Sequence, residues 1–261
     1  MHRLPQQRVT SAFSTRSLRP GPIATGHFLS VDHFLMSQPT FPPHPHAGFS
    51  AVTWMLPWSE GSFQNRDSRG DSSLIAPGAL HWTLAGAGML HEEIPTRPGQ
   101  VCEGLQIFVK LPESEELSEP RAFHIAPAEV PRQESVGSSI RVLAGEIQGV
   151  RSRIPSHANT TLLHVETSGE LSIDVPSGVQ AFALVLRGQG RIAGTAIESG
   201  AALSLAANQP AHFSGADLCA LFAWSAPMAA IPVFDGPFCM FRPERIAAAR
   251  AAYRSGAMGQ L

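Results

Sequence analysis

The sequence predicts an all-β protein: two successive β-barrels or sandwiches followed by a short C-terminal α-helix. Three observations predict it. Short runs rich in β-branched and aromatic residues recur along the chain, separated by turn residues. Glycine (23) and proline (22) are both abundant, which suits many short strands joined by tight turns. One segment alone reads as a helix, Pro243–Arg254 (PERIAAARAAYR). It has Pro at a first helical position, Ala/Arg-rich sequence after it and Gly256 as a stop. With 261 residues, 43% of them hydrophobic, the chain can bury one large β core or two smaller ones.

Taken in order, Phe28–Val31 and Phe34–Met36 are strand pieces flanking Asp32-His33. Phe49–Leu56 (FSAVTWML) is a strand by composition. Trp58–Ser72 is polar and glycine-punctuated, as a long hairpin loop would be. Pro77-Gly78 turns the chain into His81–Leu84, and Gly86-Ala87-Gly88 turns it into Met89–Ile94. Gly104–Leu111 (GLQIFVKL) alternates less and reads as a buried strand. Pro112–Pro120 is an acidic surface connection, and the Pro/Ser-rich stretch 126–139 marks a domain boundary, giving domains 1–130 and 131–261. The second domain repeats the style in Ile140–Gly145, Thr161–Glu166, Gly169–Val175, Gln180–Gly188, Arg191–Ala196, Ala202–Leu205 and Leu218–Trp224. In the closing helix Ile246, Ala249 and Tyr253 recur at helical spacing and should pack on the body.

Charge and cysteine usage exclude several classes. The net charge is −2 without a basic block, so nucleic acid is not an expected partner. Three widely spaced cysteines (Cys102, Cys219, Cys239) argue for reduced thiols rather than a disulfide framework or a zinc knuckle. No apolar run approaches the roughly 18 residues of a membrane span. The Arg/Ser-rich N-terminus has Pro5 and Pro20 and no clean helical stripe, so it is read as a surface strand or loop. The expected location is cytoplasmic.

Two short runs carry the chemistry, His44-Pro45-His46 and His91-Glu92-Glu93. On a strand, residues i and i+2 share a face. His44 with His46 and His91 with Glu93 can therefore aim at one point from two facing strands. Three imidazoles and a carboxylate, with no cysteine beside them, suit a six-coordinate ion that keeps open positions for water, dioxygen or an oxygen donor. Each run alone could be ordinary surface residues; the intervening loop and Pro77-Gly78 turn supply the return that joins them. Glu92 should point to the opposite face. His33 and His81 are read as hydrogen-bonded framework residues. His157, His164 and His212 are read as isolated, so only the first half is expected to hold metal. Phe49, Trp54, Trp82 and Met89 are candidate pocket walls, with ordinary core packing as their other reading.

These segments resemble the pirin family of bicupin proteins. The likeness rests on His44–Thr53 (HPHAGFSAVT), Pro77–Trp82 (PGALHW), Thr83–Pro95 (TLAGAGMLHEEIP) and Gly104–Pro112 (GLQIFVKLP), in matching order and spacing, with Asp32-His33-Phe34 upstream. Arg141–Glu146 (RVLAGE) and Gly236–Met240 (GPFCM) extend it. The resemblance implies two cupin barrels with iron in the N-terminal one, on His44, His46, His91 and Glu93. Fe(II) is the expected ion, with Mn, Ni, Co, Cu or Zn as alternatives. It further implies either cleavage of quercetin-like flavonols with O2, in which Glu93 takes the substrate hydroxyl proton, or a non-catalytic iron-bearing module that binds a regulatory protein partner. Ala47 and Ser50 depart from the Arg and Glu that many pirins carry there.

Overall fold

The computed structural model describes residues 1–261. It is almost entirely β, with one α-helix at Pro243–Arg254 and one 3-10 turn at Pro127–Glu129. The chain forms two compact units, and they do not follow a single cut. One contains residues 7–15, 30–129 and 229–261; the other contains 1–6, 16–29 and 130–228. The chain changes unit at 129/130 and again at 228/229. The C-terminal helix, however, packs in the unit of residues 30–129 rather than with the second half. The first residues go the other way, where His2–Arg3 pair with Ala201–Ala202.

Each unit sets a seven-stranded sheet beside a four-stranded one. In the first unit Phe49–Met55 is central, fully buried, and flanked by Leu80–Leu84 and Cys102–Lys110. Burial on both faces explains its near-continuous apolar sequence. The smaller sheet runs His44–His46, Met89–Pro95, Phe63–Asp67, Leu74–Ile75. In the second unit the corresponding central strand is Leu218–Ser225, between Gln180–Arg187 and Thr161–Thr167. Its core is built from inward positions such as Leu163, Val165, Ala183, Val185, Ala220 and Phe222.

Three elements differ from expectation. The polar stretch after Trp58 contains a strand, Phe63–Asp67, paired with Met89–Pro95 on one side and Leu74–Ile75 on the other. Its alternation is real: Phe63, Asn65 and Asp67 are buried, and the positions between them are more exposed. Polar residues on its buried side hid the period. Arg191–Ala196 is not one strand but the tip of a hairpin, Gln189–Ile192 with Thr195–Glu198. Ala193 and Gly194 at its turn both have positive φ (47° and 76°), the conformation of a two-residue type I′ connection. Phe28–Met36 is one strand through Asp32-His33, not two pieces.

Gly48 separates the ligand strand His44–His46 from Phe49–Met55. Its φ is +85°, and a Cβ there would lie 2.1 Å from the Cys239 carbonyl oxygen. Only glycine allows the chain to change sheets at that point against the segment Phe238–Met240. That segment and the helix are seated by Ala47, Phe238, Met240, Ile246, Ala249 and Met258, while Tyr253 stays half exposed. Below them lies a buried ion network. Lys110 and Glu116, both fully buried, pair at 2.6 Å, and Glu116 also receives Arg245 Nη1 and the Phe241 amide.

Candidate metal centre

Two antiparallel strands bring the first two runs together. His46 stands opposite Met89, and His44 stands opposite His91. The three imidazoles meet edge-on, with ring centroids 4.7 Å (His44–His46), 4.8 Å (His44–His91) and 4.9 Å (His46–His91) apart. One nitrogen from each lies within 4.8 Å of the others. Glu93 stands outside that triad. Its carboxylate lines the same cavity and accepts the Thr53 hydroxyl, with oxygens at 2.8 and 2.6 Å. Thr53 reaches it from the facing sheet, and Gln106 lies beside it, its Oε1 3.1 Å from the Thr53 hydroxyl.

Burial decides the charge states. It pushes His46 down to about 3, with His44 adding to the effect, and it holds His91 well below the ordinary imidazole range. Burial pushes Glu93 up to about 7, against the Thr53 hydrogen bond, which favours the ionised form. His44 Nδ1 lies 2.9 Å from the Pro42 carbonyl. That oxygen can only accept, so Nδ1 carries a proton and donates to it. Both ring nitrogens of His91 are buried without a partner in the protein. Imidazoles that converge on one point, one of them with no hydrogen-bond partner, fit a cation: it satisfies lone pairs whose burial otherwise costs stability.

Glu92 behaves as expected for the opposite face. It pairs across the strands with Arg66, whose Nε donates to its carboxylate at 2.7 Å, and it does not line the cavity. His33 is a framework residue, 2.9 Å from Glu103. His81 is not hydrogen-bonded as expected: it is fully buried, and neither ring nitrogen has a partner.

The cavity beside the histidines measures about 190 Å³. Its walls are Phe13, Phe34, Met36, Phe41, Phe63 and Phe108, with Asp32, Gln106 and Glu93 as polar points. None of the four expected walls lines it. Trp54 follows Thr53 in its strand and so takes the opposite face; Trp82 and Met89 are buried core. Phe49 sits one layer back, 5.0 Å from the His46 ring and 4.8 Å from Phe108. The sequence offered a signal for Thr53 and Gln106, polar side chains in otherwise apolar strands. It offered none for Phe13 and Phe41, which meet edge to face at 5.3 Å from distant segments.

Comparison with known proteins agrees with this architecture. Residues 6–109 match the pirin family model, and residues 160–259 match the model of the pirin C-terminal cupin domain. A pirin-like protein of Arabidopsis thaliana is 32% identical over 236 residues, covering 84% of this chain and 75% of that protein. Against three other plant pirins and pirin-like proteins, from Solanum lycopersicum and Arabidopsis thaliana, the chain spans only 49–56% of their length. The fold is that of a quercetin 2,3-dioxygenase from Acinetobacter baumannii (TM-score 0.86, 24% identity, 99% of this chain and 96% of that one). It is also that of a bacterial pirin from Escherichia coli solved in complex with nickel(II) (TM-score 0.68, 15% identity, 86% and 95%). With two family models covering most of its length and a relative matched over three quarters of that protein, the chain belongs to the pirin family, a branch of the cupin superfamily.

Proposed function

We propose that His44, His46, His91 and Glu93 hold one iron(II) ion, and that the adjoining cavity admits a flavonol-like aromatic for ring cleavage by dioxygen. The observation that carries this reading is the continuity of three converging imidazoles, one carboxylate and an aromatic-walled cavity. When bound, the ion supplies Lewis acidity toward an oxygen donor and a redox partner for dioxygen.

The protein's own residues supply the rest. The phenylalanine walls favour a flat, apolar ring and exclude water. At about 190 Å³ the cavity falls short of the roughly 300 Å³ at which sites begin to enclose a drug-sized ligand. The substrate therefore enters with its oxygen-bearing ring and leaves the remainder at the mouth beside Phe13 and Phe41. Glu93, buried and held by Thr53, stands where it can take the hydroxyl proton. The net reaction combines the flavonol with O2, opens the heterocycle and releases carbon monoxide.

Iron-loaded protein, mixed with quercetin in air, should consume O2 and bleach the flavonol absorbance with carbon monoxide release. Full iron occupancy without turnover across a flavonol series would overturn the enzymatic reading. It would favour an iron-bearing module that acts through a protein partner.

A further inference from the structure

We infer that His164, Glu166 and Cys219 form a second metal site, in the unit of residues 130–228, suited to a borderline-soft divalent ion such as zinc. The three side chains each place a ligating atom within 4.8 Å of the other two. His164 Nε2 is 3.0 Å from Cys219 Sγ. The site uses the same device as the first one. His164 and Glu166 are i and i+2 on the strand Thr161–Thr167 and share a face, and Cys219 stands directly opposite Glu166 on the neighbouring strand Leu218–Ser225. The core of this barrel takes the other face, through Leu163, Val165 and Ala220. The three donors lie on the face of the sheet opposite that core.

The donor set defines the ion. One imidazole nitrogen, one sulfur and one carboxylate oxygen match zinc better than iron(II) or magnesium. Typical zinc–nitrogen and zinc–sulfur bonds at a tetrahedral angle hold N and S about 3.5 Å apart. The observed 3.0 Å needs to open by only about half an ångström. Binding would release the Cys219 thiol proton to solvent, because the ligand is the thiolate. His164 and Cys219 are buried, whereas the Glu166 side chain is about one-third exposed and offers the route of entry. Arg141 pairs with Glu166 and faces His164 across the strands. It is a resident cation that an incoming ion must displace from the carboxylate, so affinity should be moderate.

Cobalt(II) titration of the full-length protein tests the assignment. A thiolate ligand gives a near-ultraviolet sulfur-to-cobalt charge-transfer band, and the first site has no cysteine to produce one. The band should appear in the native protein and in the His44→Ala/His91→Ala variant. It should vanish in Cys219→Ser and persist in Cys102→Ser and Cys239→Ser. Glu166→Gln should keep the band but weaken cobalt affinity roughly tenfold, as replacing an anionic carboxylate by a neutral amide oxygen would. Circular dichroism on each variant separates loss of a ligand from loss of fold. Absence of the band at saturating cobalt in folded native protein, or its survival in Cys219→Ser, would overturn the site.

Discussion

His44 and His91 stand directly opposite one another on adjacent antiparallel strands, ring centroid to ring centroid 4.8 Å. This pairing turns two separate sequence runs into one centre. Removing either imidazole should therefore remove the ion. His44→Ala, His46→Ala and His91→Ala should each bring iron content close to zero, measured by elemental analysis of folded protein. Glu92→Ala should leave it unchanged, since Glu92 is spent on Arg66. Loss of iron in Glu92→Ala with retention in Glu93→Ala would show that the register is wrong.

Thr53 should act through Glu93. Its hydroxyl stabilises the ionised carboxylate, so Thr53→Val should raise the Glu93 pKa further above its present value of about 7. The base form then appears only at higher pH. The acidic limb of the pH–rate profile should move upward, and kcat near neutrality should fall roughly tenfold while KM changes little. An unmoved profile would remove Thr53 from this role.

The Lys110–Glu116 pair should dominate the stability of the C-terminal segment. Glu116→Ala leaves a fully buried ammonium without its counter-charge and removes an acceptor from Arg245 and from the Phe241 amide. It should cost about 3–5 kcal/mol by urea denaturation. The double change Lys110→Met with Glu116→Leu removes both charges and should cost clearly less. Equal losses in the two proteins would contradict the pairing argument.

Acid should destabilise the fold through His81. Burial pushes this imidazole down to about 4, with His124 adding to the effect and Asp71 opposing it. The folded pKa lies below the unfolded value of 6.5, so the folded state binds fewer protons. Its contribution is present in full above pH 6.5 and is lost as pH falls from there toward 4. The slope is up to about 1.4 kcal/mol per pH unit. Denaturation midpoints at pH 7.5 and 5 should separate in the native protein and draw together in His81→Leu.

Much of the candidate centre was legible before any coordinates, for a geometric reason. A strand repeats every two residues, so His44/His46 and His91/Glu93 announce shared faces, and Glu92 announces the opposite one. The helix was legible too, because Pro243 and Gly256 bracket it. The strand Phe63–Asp67 was not, since its buried Asn65 and Asp67 break the apolar alternation. His164 reads as isolated in the sequence, for without strand order nothing indicates that Cys219 stands across from Glu166.

The sequence by itself determined the class of fold, the family and the two runs from which the candidate centre is built. Those depend on local periodicity and on runs a few residues long. The tertiary structure alone decided that three histidines form the tight triad while Glu93 accepts the Thr53 hydroxyl, and that the cavity walls are Phe13, Phe34, Met36, Phe41, Phe63 and Phe108 rather than the expected Phe49, Trp54, Trp82 and Met89. It also decided that the C-terminal helix belongs to the unit of residues 30–129. Each of these depends on which remote strands become neighbours. That choice is made by burial and register across the whole chain, and no short window of residues encodes it.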